Sequence, residues 1–216
     1  MKPEELKFFN PLAETKFTLN RLPHWNQSGA SYFITFRLAD SVPVNLRERW
    51  NRERDTWLSL HPKPWTLKEE EEYHQQFSAR MDRWLDAGYG ACIFKDPACR
   101  QRLEKVLRCY DGDRYVHHAW VAMPNHAHIL TSLKEGALIE DFVKPWKGTS
   151  ARNINRHLGR KGTLWQEDYF DRLIRDGNHF ARCVRYIANN PAKARLRSGE
   201  YTHFESELAA LFARRR

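Results

Sequence analysis

The sequence predicts an α+β domain, an antiparallel sheet flanked by helices. Three observations carry this. Two strand-like segments, Tyr115–Met123 and His126–Leu133, are separated only by Pro124-Asn125, so they pair as a hairpin. Strand and helix patterns are mixed rather than regularly alternating, which disfavours a doubly wound parallel sheet. No internal repeat of about 20–50 residues appears, so a solenoid is excluded.

The elements follow in order. Residues 1–27 are interrupted by Pro3, Pro11 and Pro23 and are expected to form an arm over the domain. Ala30–Leu38 alternates and is rich in β-branched and aromatic residues, as a strand requires. Its Thr35 and Arg37 are expected on a wetted face, opposite Ile34, Phe36 and Leu38. Residues 43–60 predict a helix, with Trp50 and Trp57 on one side and Pro62 and Pro64 ending it. Leu67–Leu85 predicts a second helix with an acidic run, Glu69–Glu72, and apolar Phe77, Met81, Trp84 and Leu85 at helical intervals. Gly88 and Gly90 end it. Pro97–Tyr110 is a third helix, with proline in its first turn. Leu138–Leu158 is a basic amphipathic helix with a possible break at Pro145 or Gly148. Thr163–Ile174 is extended. Asn178 can cap a helix that Pro191 stops after Asn190. The remainder is expected to be a loop and tail. The expected organisation is an arm (1–27), a domain (28–197) with a helical insertion at about 43–90, and a basic C-terminal tail (198–216).

Composition bounds the function. The 216 residues carry 36 Lys plus Arg against 27 Asp plus Glu, a net charge of +9. Apolar residues make up 41%, or about 46% with the ten Gly, the ordinary globular range, so disorder throughout is excluded. No apolar stretch approaches the roughly 18 residues of a membrane span. The first residues contain no apolar run of the secretory type, so no leader is expected. Cys92, Cys99, Cys109 and Cys183 form no CxxC pair and read as small hydrophobes in a reducing compartment. A basic cytoplasmic protein is the expectation, and its commonest polyanionic partner is nucleic acid.

Three groups of residues carry candidate chemistry. His126 and His128 lie two apart on a strand, so their side chains project to one face about 7 Å apart along it. Such a pair can hold a divalent ion if a third ligand comes from elsewhere, and it can equally be a surface or core histidine pair. In the helix around Arg182–Pro191, Phe180, Cys183, Val184 and Ile187 form an apolar stripe. Arg182, Tyr186 and Asn190 follow at intervals of four along one flank. Tyr186 there is either placed to reach the sheet or an ordinary boundary tyrosine. From Phe142 to Gln166 no acidic residue occurs, while Lys144, Lys147, Arg152, Arg156, Arg160 and Lys161 interleave with Trp146, His157 and Trp165. That suits phosphate contact with base stacking, or a solvated basic face. Those six residues and Arg182 are the candidate DNA contacts.

Taken together, the motifs resemble a known family. Val121-Ala122-Met123-Pro124-Asn125-His126-Ala127-His128-Ile129-Leu130 and Tyr186-Ile187-Ala188-Asn189-Asn190-Pro191 resemble the IS200-like single-tyrosine transposases of the HUH class. More closely they resemble the REP-associated tyrosine transposases. Leu164–Arg175 and Tyr32–Arg37 also fit that family's pattern, so the likeness covers roughly residues 22–197. The resemblance implies a ferredoxin-like HUH endonuclease fold. It implies that His126, His128 and Asn190 bind Mg²⁺ or Mn²⁺ and that Tyr186 is the nucleophile. It implies cleavage and rejoining of single-stranded DNA at palindromic hairpins of the REP type through a 5′-phosphotyrosine, by a monomer or a homodimer. The alternative within the likeness is a hairpin-binding protein that no longer cuts. A metal hydrolase of small molecules is disfavoured, because no carboxylate or third histidine lies near the pair. The chain departs from the family's shorter members by about 50 residues between Asp40 and Asp96, a helical insertion that could lie away from DNA or regulate access to the site. Tyr169 is the competitor for the nucleophile. Arg21–Trp25 in the arm is a further expected DNA contact.

Overall fold

The computed structural model describes residues 3–19, 23–62 and 65–214. Its centre is a five-stranded sheet in the order β6-β3-β5-β4-β7, with every neighbouring pair antiparallel. The strands are β3 (Ser31–Arg37), β4 (Tyr115–Met123), β5 (His126–Leu133), β6 (Phe170–Leu173) and β7 (Thr202–Glu205). The expected α+β architecture is present, and the β4–β5 hairpin has the expected bounds. The arm is more ordered than anticipated. It contains a small hairpin of β1 (Lys16–Leu19) and β2 (Pro23–Asn26). Arg21 lies outside the described residues.

Helices cover both faces of the sheet. On one face α4 (Pro97–Arg108) and α5 (Glu140–His157) bury Leu103, Leu107, Phe142, Val143 and Trp146 against Ile34, Phe36, Trp120 and Ile129. On the other, α6 (Gly177–Lys193) and α7 (Glu207–Arg214) bury Phe180, Val184, Ile187 and Phe212 against Phe33, Val121, Met123 and Leu130. Alternation along the strands thus serves two cores, because adjacent strand residues point to opposite faces.

Several local expectations need correction. The helix α5 runs unbroken through Pro145 and Gly148. The helix α6 is capped by Asp176, whose carboxylate accepts from the His179 N–H at 2.7 Å, rather than by Asn178. It also continues through Pro191 to Lys193, because a proline in the last turn forgoes only a single backbone bond. The segment read as a terminal loop and tail contains β7 and α7. Both are short, with weak patterns of their own, and both are held by the sheet and by α6.

The insertion is helical: α1 (Val44–Leu60), α2 (Leu67–Tyr73), a π-turn at His74–Ser78, and α3 (Ala79–Asp86). It has its own small core of Trp50, Trp57, Tyr73, Phe77, Met81 and Leu85. Trp50 Nε1 donates to the Phe77 carbonyl in the π-turn at 3.2 Å. The two ends of the insertion meet where Gly90, at φ +84°, passes Asp40. A Cβ there would lie 2.5 Å from the Asp40 carbonyl oxygen, so only glycine fits. The Ala91 N–H donates to the Asp40 carboxylate at 2.8 Å and closes the stem.

The β1–β2 hairpin is fastened by His24. Its Nδ1 lies 2.5 Å from Asp171 and its Nε2 3.0 Å from Asp168, and its ring stacks on Tyr169. Burial opposes the charge on this imidazole, but the two carboxylates outweigh it and raise the pKa from 6.5 to about 9. The stabilisation is therefore complete below the unfolded value of 6.5 and is lost as pH rises through about 9. We expect wild-type stability to fall by on the order of 1–2 kcal/mol between pH 6.5 and 9.5 relative to His24→Gln. Urea titrations of both proteins across that range check it, and parallel pH profiles would remove the charged triad from the account.

Candidate functional site

The strand β5 carries His126 and His128 toward the α6 face. The pair is buried, and their Nε2 atoms lie 3.1 Å apart. Neighbouring groups set their tautomers. Asn125 Nδ2 donates to the Leu85 and Tyr89 carbonyls, which turns its Oδ1 toward His126 Nδ1 at 2.8 Å. That ring therefore carries its hydrogen on Nδ1 and points the Nε2 lone pair inward. His128 Nδ1 sits 2.7 Å from the Thr35 hydroxyl, which can accept as well as donate. Its Nε2 can thus either donate to His126 or offer a second lone pair. Burial, with Arg37 and Lys193 adding to it, lowers the His126 pKa to about 3. Burial, reinforced by His126, also takes His128 well below its ordinary value. Both rings are neutral near pH 7, the form that ligates a cation.

The helix α6 brings the partners. Its apolar stripe sits on the sheet, so the flank bearing Tyr186 and Asn190 faces the histidines. The Tyr186 ring packs edge-on against His128 and Phe33, with centroids 5.1 and 5.7 Å away. The Asn190 carboxamide is within reach of the His126 ring and the Tyr186 hydroxyl, yet its buried Oδ1 has no hydrogen-bond partner of good geometry. The Tyr186 hydroxyl also bonds to Asp82, a residue of α3 in the insertion. Burial and Asp82 raise the Tyr186 pKa. Burial raises the Asp82 carboxyl in turn. Lys193 at the end of α6 pairs with Asp86 at 3.0 Å, so the insertion is tied down beside the site.

The structure thus joins a histidine pair, an orphaned amide oxygen and a tyrosine within one buried cluster. Residues 88–190, which span the histidine pair and the tyrosine helix, match the family described as "Transposase IS200 like". Over that segment the chain is similar to the IS200-like transposases. A REP-associated tyrosine transposase of Escherichia coli (strain K12) is 32% identical over 76 residues. The aligned stretch is 35% of this chain and 44% of that relative, so less than half of the relative is matched. Among solved structures, a REP-associated tyrosine transposase bound to a REP hairpin aligns with a TM-score of 0.45 and 19% identity, over 81% of this chain and 74% of that one.

The candidate DNA contacts separate in space. Arg182 borders the cavity beside Tyr186. Lys144, Lys147, Arg152 and Arg156 belong to α5, on the opposite face of the sheet from the histidines, and Arg160 and Lys161 follow that helix. Lys144, Arg152, Arg156 and Lys161 are exposed there, and Arg160 is half-buried. Lys147 is held differently. Its Nζ donates to the Glu167 and Asp168 carbonyls at 2.6 and 3.3 Å, and burial lowers its pKa to about 8. Tyr169 is also on that opposite face, buried against His24, so the sheet separates it from the histidines.

Two site residues escaped the sequence. Asp82 sits in α3, a short helix of balanced charge whose docking no local pattern announces. Arg37 was assigned to a wetted face, but α6 and the insertion cover that face, and every residue of β3 is buried. Elsewhere, Asp96, Cys99 and His157 bring ligand-type atoms within 4.8 Å of one another. Asp96 there caps α4 and bonds His157 at 2.8 Å, tying α4 to the end of α5. Among the described residues no helix is long and apolar enough to cross a membrane.

Proposed function

We propose that this protein is a metal-dependent endonuclease and strand transferase for single-stranded DNA that binds palindromic hairpins of the REP type. The observation that carries the reading is the convergence of two neutral imidazole Nε2 atoms and the Asn190 amide upon Tyr186. The donor set fits a divalent cation. His126 is fixed with its lone pair inward, His128 can present a second, and Asn190 Oδ1 is buried without a partner. His126, His128 and Asn190 would hold Mg²⁺ or Mn²⁺, which supplies Lewis-acid polarisation of the scissile phosphate.

The chain's own residues supply the rest. Tyr186 Oη attacks phosphorus, the bond to the 3′ oxygen breaks, and a 5′-phosphotyrosine and a free 3′-hydroxyl result. Asp82, bonded to that hydroxyl, takes its proton. Solvent protonates the departing 3′ oxygen. Attack by a 3′-hydroxyl on the phosphotyrosine reverses the steps and joins strands, because the covalent link conserves the phosphodiester. Phe33 and His128 fix the phenol ring from two sides.

The test is a labelled hairpin oligonucleotide from beside the protein's own gene, incubated with and without Mn²⁺ and run on a denaturing gel. A metal-dependent band heavier by the mass of the protein is expected. Hairpin retention on a native gel without that band would instead identify a binding protein that does not cut.

The exposed arginines of α5 are proposed to hold the hairpin's phosphates. Arg152→Glu with Arg156→Glu is expected to weaken hairpin binding at least tenfold and to flatten its salt dependence by a slope of about 1.5–2. Fluorescence anisotropy across a salt series measures both. An unchanged slope would move the hairpin to another face.

A further inference from the structure

The insertion docks over the cluster and borders a half-open cavity of about 250 Å³ beside Tyr186. One wall is β3 and β5, with Phe33, Arg37 and His128. The facing wall is the insertion, with Trp50, Tyr73 and Met81. The two walls differ in chemistry. Arg37 sits directly across the strands from His126 and is only 9% exposed, yet its Nη1 has no hydrogen-bond partner among the described residues. Asp82, a carboxylate that faces it, is engaged with Tyr186. A buried guanidinium left incompletely partnered is costly, and an anion is what would satisfy it. The opposite wall is mainly aromatic and thioether, edged by His74, Ser78 and Asp82, which suits a flat, polarisable ring. A cation at one side and an aromatic wall at the other, in a space too small for a duplex, is the chemistry of one nucleotide drawn out of its strand.

We propose that this cavity seats a single unpaired nucleotide adjoining the cleaved phosphodiester, with Arg37 on its phosphate and the Trp50, Tyr73 and Met81 wall against its base. The pocket makes the insertion part of substrate selection, since a base that does not fit keeps its phosphate from Tyr186. This rests on the strand-cleaving function proposed above.

The full chain is titrated calorimetrically with each of the four deoxynucleoside monophosphates and with the matching nucleosides, all in EDTA so that no metal binds the phosphate. At least one monophosphate is expected to bind, and its nucleoside at least tenfold more weakly. Arg37→Met is expected to reduce monophosphate affinity to that of the nucleoside and to raise the melting temperature, because an incompletely partnered buried charge has gone. A purely structural arginine would lower it. Ser78→Trp, which fills the cavity from the insertion side, is expected to abolish binding of both ligands. Absence of monophosphate binding to the wild type, or equal binding to Arg37→Met, overturns the pocket even if covalent capture occurs. Binding without capture leaves the pocket standing and overturns the strand-cleaving function instead.

Discussion

Tyr186→Phe is expected to abolish covalent capture of single-stranded DNA, with no product band even after long incubation with Mn²⁺, while hairpin affinity stays within about twofold. The geometry separates the two effects. The phenyl ring keeps its edge contacts with Phe33 and His128, so the helix and the histidine pair stay in place. Only the hydroxyl is lost, and with it the proposed nucleophile. Its bonds to Asp82 and Asn190 go too, at a cost of about 1–2 kcal/mol in stability. Tyr169→Phe is the control. Its ring is stacked on His24 across the sheet, and capture is expected to be unchanged. Denaturing gels of the two variants decide the matter. Capture that survives in Tyr186→Phe and vanishes in Tyr169→Phe would transfer the role and contradict the arrangement described here.

Asp82→Asn is expected to slow capture about a hundredfold. The amide can keep a hydrogen bond to the phenol and the volume of the site, but it cannot take the proton. The change therefore acts on the chemical step and leaves hairpin affinity alone. Burial raises the Asp82 carboxyl above its ordinary range. As the proposed base, Asp82 works only when ionised, so the single-turnover rate of the wild type is expected to climb as pH rises through that raised value. The Asn variant loses the climb. Rapid-quench measurement of capture between pH 5 and 9 tests both statements. A faster rate in Asp82→Asn would reverse the assignment and make the Asp82–Tyr186 contact an inhibitory latch, since the insertion carrying it lies over the site.

These residues also mark where the sequence stopped being informative. The β4–β5 hairpin was legible because its two strands and its turn are contiguous, and a period of two assigns the histidines to one face with no further information. The Tyr186–Asn190 relation was legible for the same reason, as a period of 3.6 stacks residues four apart. Arg37 was misjudged on equally local grounds. Alternation says that Thr35 and Arg37 share a face, but not that an insertion beginning seven residues later folds back to cover it. The basic run was visible as charge, yet its layer was not. Which face a helix takes depends on its apolar stripe and on competition from α6 for the other face.

The sequence by itself determined the α+β class, the long helices, the hairpin, the likeness of residues 88–190 to the IS200-like transposases, and which histidines, tyrosine and asparagine to look for together. Each of these follows from patterns within some 20 residues, or from motifs whose order the chain preserves. Only the tertiary structure decided that Asp82 meets Tyr186 across 104 positions of chain, that Tyr169 is walled off, and that α5 takes its arginines to the opposite side of the sheet. The physical reason is range. Backbone periodicity fixes direction locally, whereas burial and charge pairing are settled only when distant segments compete for the same surface.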